Sequence, residues 1–201
     1  MMVAGIELIG IMKATTNRRR TAGAHDCFAA MTSDPTPAYG ADPRRYQVIP
    51  RVLVFVTNGD RVLLLRRSVH KRLWPGLLNA PGGHVERGED PFAAAQREVQ
   101  EETGVQVESL RLRGMIVAET GLAGSGILVF VYQGHTAAAE LKAGPEGEPC
   151  WVARDELVGG DLLPDLPQLC ELVFDQADFF YLSKTPVAEQ GERVNVRLVG
   201  A

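Results

Sequence analysis

The sequence predicts an α+β fold, with strands and helices mixed rather than in regular strand–helix–strand alternation. Three observations lead there. Two β-branched and aliphatic runs flank Asn58-Gly59-Asp60, a strong hairpin signal. A stretch bounded by helix start and stop signals occupies residues 90–104. Further strand-like runs follow it before helical spacing returns after Asp165.

Residues 1 to about 45 read as a poorly ordered extension. MMVAGIELIGIMK is apolar but too short to span a bilayer, and no basic residue precedes the run as in a signal peptide. TTNRRRTAGAHD and TSDPTPAYGADPRR are rich in Thr, Pro, Gly and Arg, a composition with little to bury. Met31 is a second candidate start. The folded domain is expected over 46–201. QVIPRVLVFVT and RVLLLRR form the hairpin, and SVHKRLWPGLLNAPGG is a loop punctuated by Pro75-Gly76 and Pro81-Gly82-Gly83. In the first helix Asp90 is the N-cap, Pro91 suits the first turn and Gly104 the stop. Phe92, Ala95, Val99 and Thr103 make its core side. Strands at 107–119 and 127–134 are joined by GLAGSG, and EPCWVA is a short strand. Asp165 is the natural N-cap of a second amphipathic helix on Leu166, Leu169, Cys170, Val173, Phe174 and Ala177. VNVRLV alternates as a last strand.

Composition excludes some classes. The net charge of −4 offers no basic excess for a nucleic-acid backbone, so no nucleic-acid partner is expected. No membrane partner is expected either. Cys27, Cys150 and Cys170 form neither a CxxC pair nor a zinc spacing; this sparse, odd count fits a reducing, cytoplasmic compartment. Oligomeric state is not legible.

Glu98, Glu101 and Glu102 stand at i, i+3 and i+4, so they share a helix face, expected opposite the Phe92/Val99 side. Like charges at that spacing repel. Hard divalent cations want such oxygens, and Mg²⁺ takes only a few carboxylates while keeping positions for water and phosphates. Gly82 and Gly83 precede the helix in a loop able to bring backbone carbonyls close to the same cation.

GGHVERGEDPFAAAQREVQEETGV contains Gly83, five residues, Glu89, seven residues, then Arg97-Glu98-Val99-Gln100-Glu101-Glu102-Thr103-Gly104-Val105. This resembles the complete Nudix box, with every specified position filled. The resemblance implies the Nudix fold, a mixed β-sheet sandwiched between α-helices. It also implies Mg²⁺-dependent hydrolysis of a nucleoside diphosphate linked to a group X, with Mn²⁺ able to substitute for Mg²⁺. By position, Glu98, Glu101, Glu102 and the Gly82 carbonyl would hold metal, and Arg97 would orient a carboxylate. Glu89 and Gly104 would be structural. Glu98 is the first choice for general base and Glu101 the second. Many members use an acidic residue beyond the box, and Glu140, Glu146 and Glu148 lie in the right region.

The partner is therefore expected to be a small-molecule nucleotide. Arg66 and Arg67 open a basic run able to hold phosphates, and His84 stands where some family members carry a phosphate-contacting lysine. Leu163-Pro164-Asp165-Leu166 is similar to the Trp-Pro-Asp-Asp of MutT-type enzymes, although the Trp and one Asp are missing. It marks Asp165 as a base reader as well as a cap. ADP-ribose-hydrolysing members often carry a proline where this chain has Gly121. The leading expectation is a MutT-type (deoxy)nucleoside triphosphate pyrophosphohydrolase, such as an 8-oxo-dGTP diphosphatase. ADP-ribose or another nucleoside diphosphate derivative comes next. A non-catalytic nucleotide-binding module is the alternative of a different class.

Overall fold

Every strand-forming run read from the sequence joins one sheet. The computed structural model describes Asp42 and residues 44–144, 146–159, 161–187 and 191–200. The expected N-terminal extension lies outside the described residues, apart from Asp42 and Arg44–Arg45 at its end. Pro43–Ala201 form one compact unit.

The strands are β1 (Gln47–Asn58), β2 (Arg61–Arg67), β3 (Leu78–Asn79), β4 (Glu108–Glu119), β5 (Ser125–His135), β6 (Gly147–Ala153), β7 (Phe179–Val187) and β8 (Gly191–Val199). The helices are α1 (Pro91–Thr103) and α2 (Leu166–Cys170), the latter continued by a π turn, Glu171–Asp175. The sheet order is β3-β2-β1-β5-β4-β7-β8, with β6 also pairing with β2. β1 runs parallel to β5 along its whole length, and β4 parallel to β7.

Alternation along the strands splits the core in two. Val52, Val54, Val56 and Leu63 face α1, with Ala94, Ala95 and Val99. Phe55, Val62, Leu64, Ile116 and Phe180 pack on the other face, under Leu166, Leu169 and Val173. The mixed sheet between helices is the expected fold. Truncating a fully buried ring such as Phe55 or Phe180 to Ala costs ~3–5 kcal/mol.

One irregularity creates the site. β1 and β2 pair only at Thr57↔Val62 and Asn58↔Arg61, next to their turn. Beyond it they diverge, and residues 81–85 take the place of β2 beside β1. Val54 N donates to Pro81 O and Val52 N to Gly83 O, each at 2.9 Å, and Val85 N donates to Pro50 O at 3.1 Å. The β1 hydrogen bonds therefore fix the path of the glycine loop.

Four expectations change. Phe92 is 45 % exposed and meets Tyr132 edge-on, while Ala94 takes the buried position. Asp165 does not cap α2: its side chain makes no cap hydrogen bond and instead pairs with Lys184. The second helix stops at Asp175, because buried Arg113 takes the carbonyls of Val173, Gln176 and Ala177. The chain then enters β7, a strand the sequence reading lacked. It was hidden behind the helical periodicity that runs up to Ala177.

Candidate functional site

The start of α1 follows its local signals. Asp90 Oδ1 accepts from the N–H groups of Phe92 and Ala93 at 2.8 and 2.9 Å. Gly104 closes the helix in the left-handed region. Gly82 must be a glycine for a contact reason, and Gly83 lies close to the end of the Glu98 side chain. A Cβ on Gly82 would stand 2.2 Å from Val52 O, and one on Gly83 would stand 2.2 Å from Glu98 Oε1. The loop backbone thus presses directly on a box carboxylate.

Arg97 ties the loop to the helix. Its Nε and Nη2 bind Glu89 Oε1 and Oε2 at 2.9 and 3.0 Å, a two-pronged pair. Nη2 also donates to His84 O at 3.0 Å, while Nη1 meets Glu98 Oε1 at 3.0 Å and Glu101 Oε2 at 3.1 Å. The hydrogen bonds from Arg97 hold the Glu89 carboxyl below the usual carboxylate range, with help from the Glu86 N–H. The same bond to Glu89 raises Arg97 further, against the cost of burial.

Glu102 differs from the other two glutamates. It is 4 % exposed, which corrects its expected placement away from the core. Three residues beyond Val99 lie only about 60° from it around the helix, so Glu102 stands at the border of the buried face. Its Oε2 accepts from Gly82 N at 2.9 Å. Burial pushes its carboxyl up to about 7, partly offset by that N–H, and Glu98 and Glu146 push it further.

Glu102 and Gly82 form one end of a cleft of about 360 Å³. Arg51, Arg67, Lys71 and Glu146 also line it. Among Glu140, Glu146 and Glu148, Glu146 lines this cleft, and Lys71 Nζ pairs with it at 2.9 Å. The floor is a stripe across the sheet. Ala118 stands opposite Ile127 on β5 and Lys184 on β7, and Ile116 stands opposite Val129. Asp165, paired with Lys184, lines the cleft with Leu163, and so do Leu73 and Trp74.

The cleft therefore brings together Gly82, Glu102, Arg67 and Asp165 from the expected site residues. Glu98, Glu101 and Arg97 form the adjoining network on α1, where the Glu101 side chain is 61 % exposed. Arg66 turns away to Asp161 and to the Gly76 carbonyl. The His84 side chain is exposed, and it is the His84 backbone that joins the network. Among the described residues no group of three His, Cys, Asp or Glu side chains converges into a preformed cation site. Arg97 pairs with Glu98 and Glu101, while Gly82 N holds Glu102. Sequence reading missed Arg51, Trp74 and Lys184. A lone aromatic in a Pro-Gly loop was the only available signal, and nothing local points to Lys184.

The family model for the NUDIX domain matches residues 48–172. An NAD-capped RNA hydrolase, NudC, of Pseudomonas syringae is 40 % identical over 68 residues, 34 % of this chain and 23 % of that protein. The mRNA hydrolase NUDT17 of Xenopus laevis, named for its action on m7GpppN-mRNA, is 46 % identical over 59 residues, 29 % of this chain and 20 % of that protein. The chain thus matches about a fifth to a quarter of these relatives' length. The solved structure of a MutT protein from Bacillus halodurans is 25 % identical with a TM-score of 0.62, covering 75 % of this chain and 97 % of that one. The NUDIX domain of Shewanella oneidensis NrtR, solved with ADP ribose, shares the fold at 18 % identity and a TM-score of 0.56, covering 75 % of this chain and 97 % of that one.

Proposed function

The chain belongs to the Nudix family, and from that premise we propose that it hydrolyses nucleoside diphosphates linked to another group, with oxidised purine (deoxy)nucleoside triphosphates as the leading substrates. Mg²⁺, replaceable by Mn²⁺, is the proposed cofactor. The donor set fits a hard divalent cation. Three carboxylates stand within one helical turn, and the strongest partner of the buried one is a single backbone N–H. Burial is what pushes the Glu102 carboxyl up to about 7, and the neighbouring Glu98 adds to it. Glu98, Glu101, Glu102 and the Gly82 carbonyl would hold the cation. When bound, it neutralises the diphosphate oxygens and lowers the pKa of a water.

The side chains do the rest. Glu98, next to the loop backbone, is the first candidate to take the proton of the attacking water, and Glu101 the second. Arg97 keeps these carboxylates oriented against the loop. Lys71, which lines the same cleft as Glu102, is a cation for the phosphates. The apolar floor of Ile127, Ala118 and Ile116 suits a base.

One observation carries the substrate reading: Asp165 faces the same cleft as Glu102 and Gly82, held by Lys184 instead of capping its helix. A carboxylate and an ammonium together offer an acceptor and donors to a purine edge. The likeness to the MutT protein supports the same choice. The stretches shared with the RNA hydrolases are too short to carry their substrates across. The test is a panel with Mg²⁺ comparing 8-oxo-dGTP, dGTP, ADP-ribose, dinucleoside polyphosphates and coenzyme A, in wild type and Asp165→Asn. The expected result is highest kcat/KM for an oxidised purine triphosphate, with Asp165→Asn shifting its ratio to dGTP. A preference for ADP-ribose with an unchanged ratio would overturn the reading.

A further inference from the structure

Trp74 has no role in the site described so far, yet it is held in a costly shape. Its φ is 55°, and Ser109 is the other non-glycine residue with positive φ among the described residues. A bulky side chain rarely enters that region unless its surroundings enforce it, and such residues cluster at ligand sites. Core packing does not explain it, because Trp74 is 51 % exposed. Trp74 instead lines the cleft, beside Leu73.

What enforces the shape is the end of β2. Arg67 Nε and Nη2 both donate to the carbonyl of Leu73, the residue before Trp74, at 3.2 and 3.0 Å. Gly76 N donates to Arg67 O at 3.1 Å, and Arg66 Nη1 donates to Gly76 O at 2.9 Å. The two arginines first read as phosphate ligands are thus committed to bracing this loop. Trp151 shows the contrast. Its Nε1 donates to Ala139 O at 3.1 Å and Arg61 stands over its ring, so it is a packing residue.

An exposed, braced indole beside an apolar floor suits a planar heterocycle, which stacks on aromatic faces whatever its hydrogen-bonding edge. We propose that Trp74 is the stacking platform for the base of the bound nucleotide, and that Arg67 is the positioning residue that holds it there. The proposal deepens the nucleotide reading above and rests on it. It divides the labour: Trp74 supplies affinity for any base, and Asp165 the discrimination between bases.

The test compares a nucleotide with its base-free counterpart, dGTP against deoxyribose 5-triphosphate, in wild type, Trp74→Ala, Trp74→Phe and Arg67→Met, with a thermal melt of each. Trp74→Ala is expected to raise KM for dGTP roughly 10-fold, within the range base–aromatic stacking spans, at nearly constant kcat. KM for the base-free compound stays within about 2-fold on the same reasoning, since no base is there to stack. Trp74→Phe keeps most of the wild-type KM. Arg67→Met raises KM for dGTP without moving that of the base-free compound. Should the panel select another nucleotide, the pair becomes that nucleotide and its own base-free form, so a wrong substrate class is told apart from a wrong platform. Equal changes for the two members of the pair, or no change in either, would overturn the proposal.

Discussion

Glu102 shows how one residue's burial changes its chemistry. The i, i+3, i+4 spacing made three glutamates look equivalent. Of the three, Glu102 is the buried one, and burial raises its carboxyl from the usual 4.5 to about 7. An acid raised on folding binds a proton more tightly in the native state. Its contribution to stability is therefore fully present below about pH 4.5 and is lost as pH rises through about 7. With metal removed by EDTA, the melting temperature of wild type relative to Glu102→Gln is expected to fall across that window. Parallel curves for the two proteins would show that Glu102 is not the group responsible. The amide keeps an acceptor for Gly82 N, so the variant retains the loop contact.

Helix ends are decided by different means in the two helices. α1 begins and ends on signals within a few residues: Asp90 caps it, Pro91 opens it and Gly104 stops it. Those features were legible because capping chemistry is local. The end of the second helix is set from outside, by Arg113 of β4. Burial lowers the Arg113 pKa, and Arg111 lowers it further. A buried guanidinium satisfied by carbonyls is costly to remove, since the carbonyls then stay unpaired. Arg113→Ala is expected to cost ~3 kcal/mol by urea unfolding, with loss of the charged hydrogen bonds as the main term. A cost below ~1 kcal/mol would mean that water replaces the side chain. Asp165 makes the same point from the other end. A Pro one or two positions into a helix makes the preceding Asp look like a cap, but Lys184 competes for it and wins. A charged partner in a half-buried pair outweighs an exposed backbone N–H.

At the scale of the molecule, the site exists because β1 leaves β2 after two residue pairs and the glycine loop fills the gap. That exchange sets Gly82 and Gly83 against Glu102 and Glu98. An unfolded chain has no such arrangement, so a divalent cation should bind the native state alone. Raising Mg²⁺ from Kd to 100 times Kd is expected to stabilise the protein by ~2 kcal/mol, read as a rise in melting temperature. Glu98→Gln and Glu102→Gln should each blunt the rise. A melting temperature indifferent to millimolar Mg²⁺, with hydrolysis surviving EDTA, would remove the metal from the proposal. By itself, the sequence determined the hairpin, α1, the box spacing and the family they indicate. Those signals are turn residues, caps and helical periods, each complete within a few residues. Only the tertiary structure decided that Glu102 is buried, that Asp165 meets Lys184, that Arg67 braces Trp74, and that Phe179–Val187 is a strand. Most of these follow from pairings between distant segments, such as β4 with β7, where Gly114 lies opposite Phe180. The competing partner comes from elsewhere in the chain, so local preference yields to whichever contact satisfies the buried polar groups and closes the sheet.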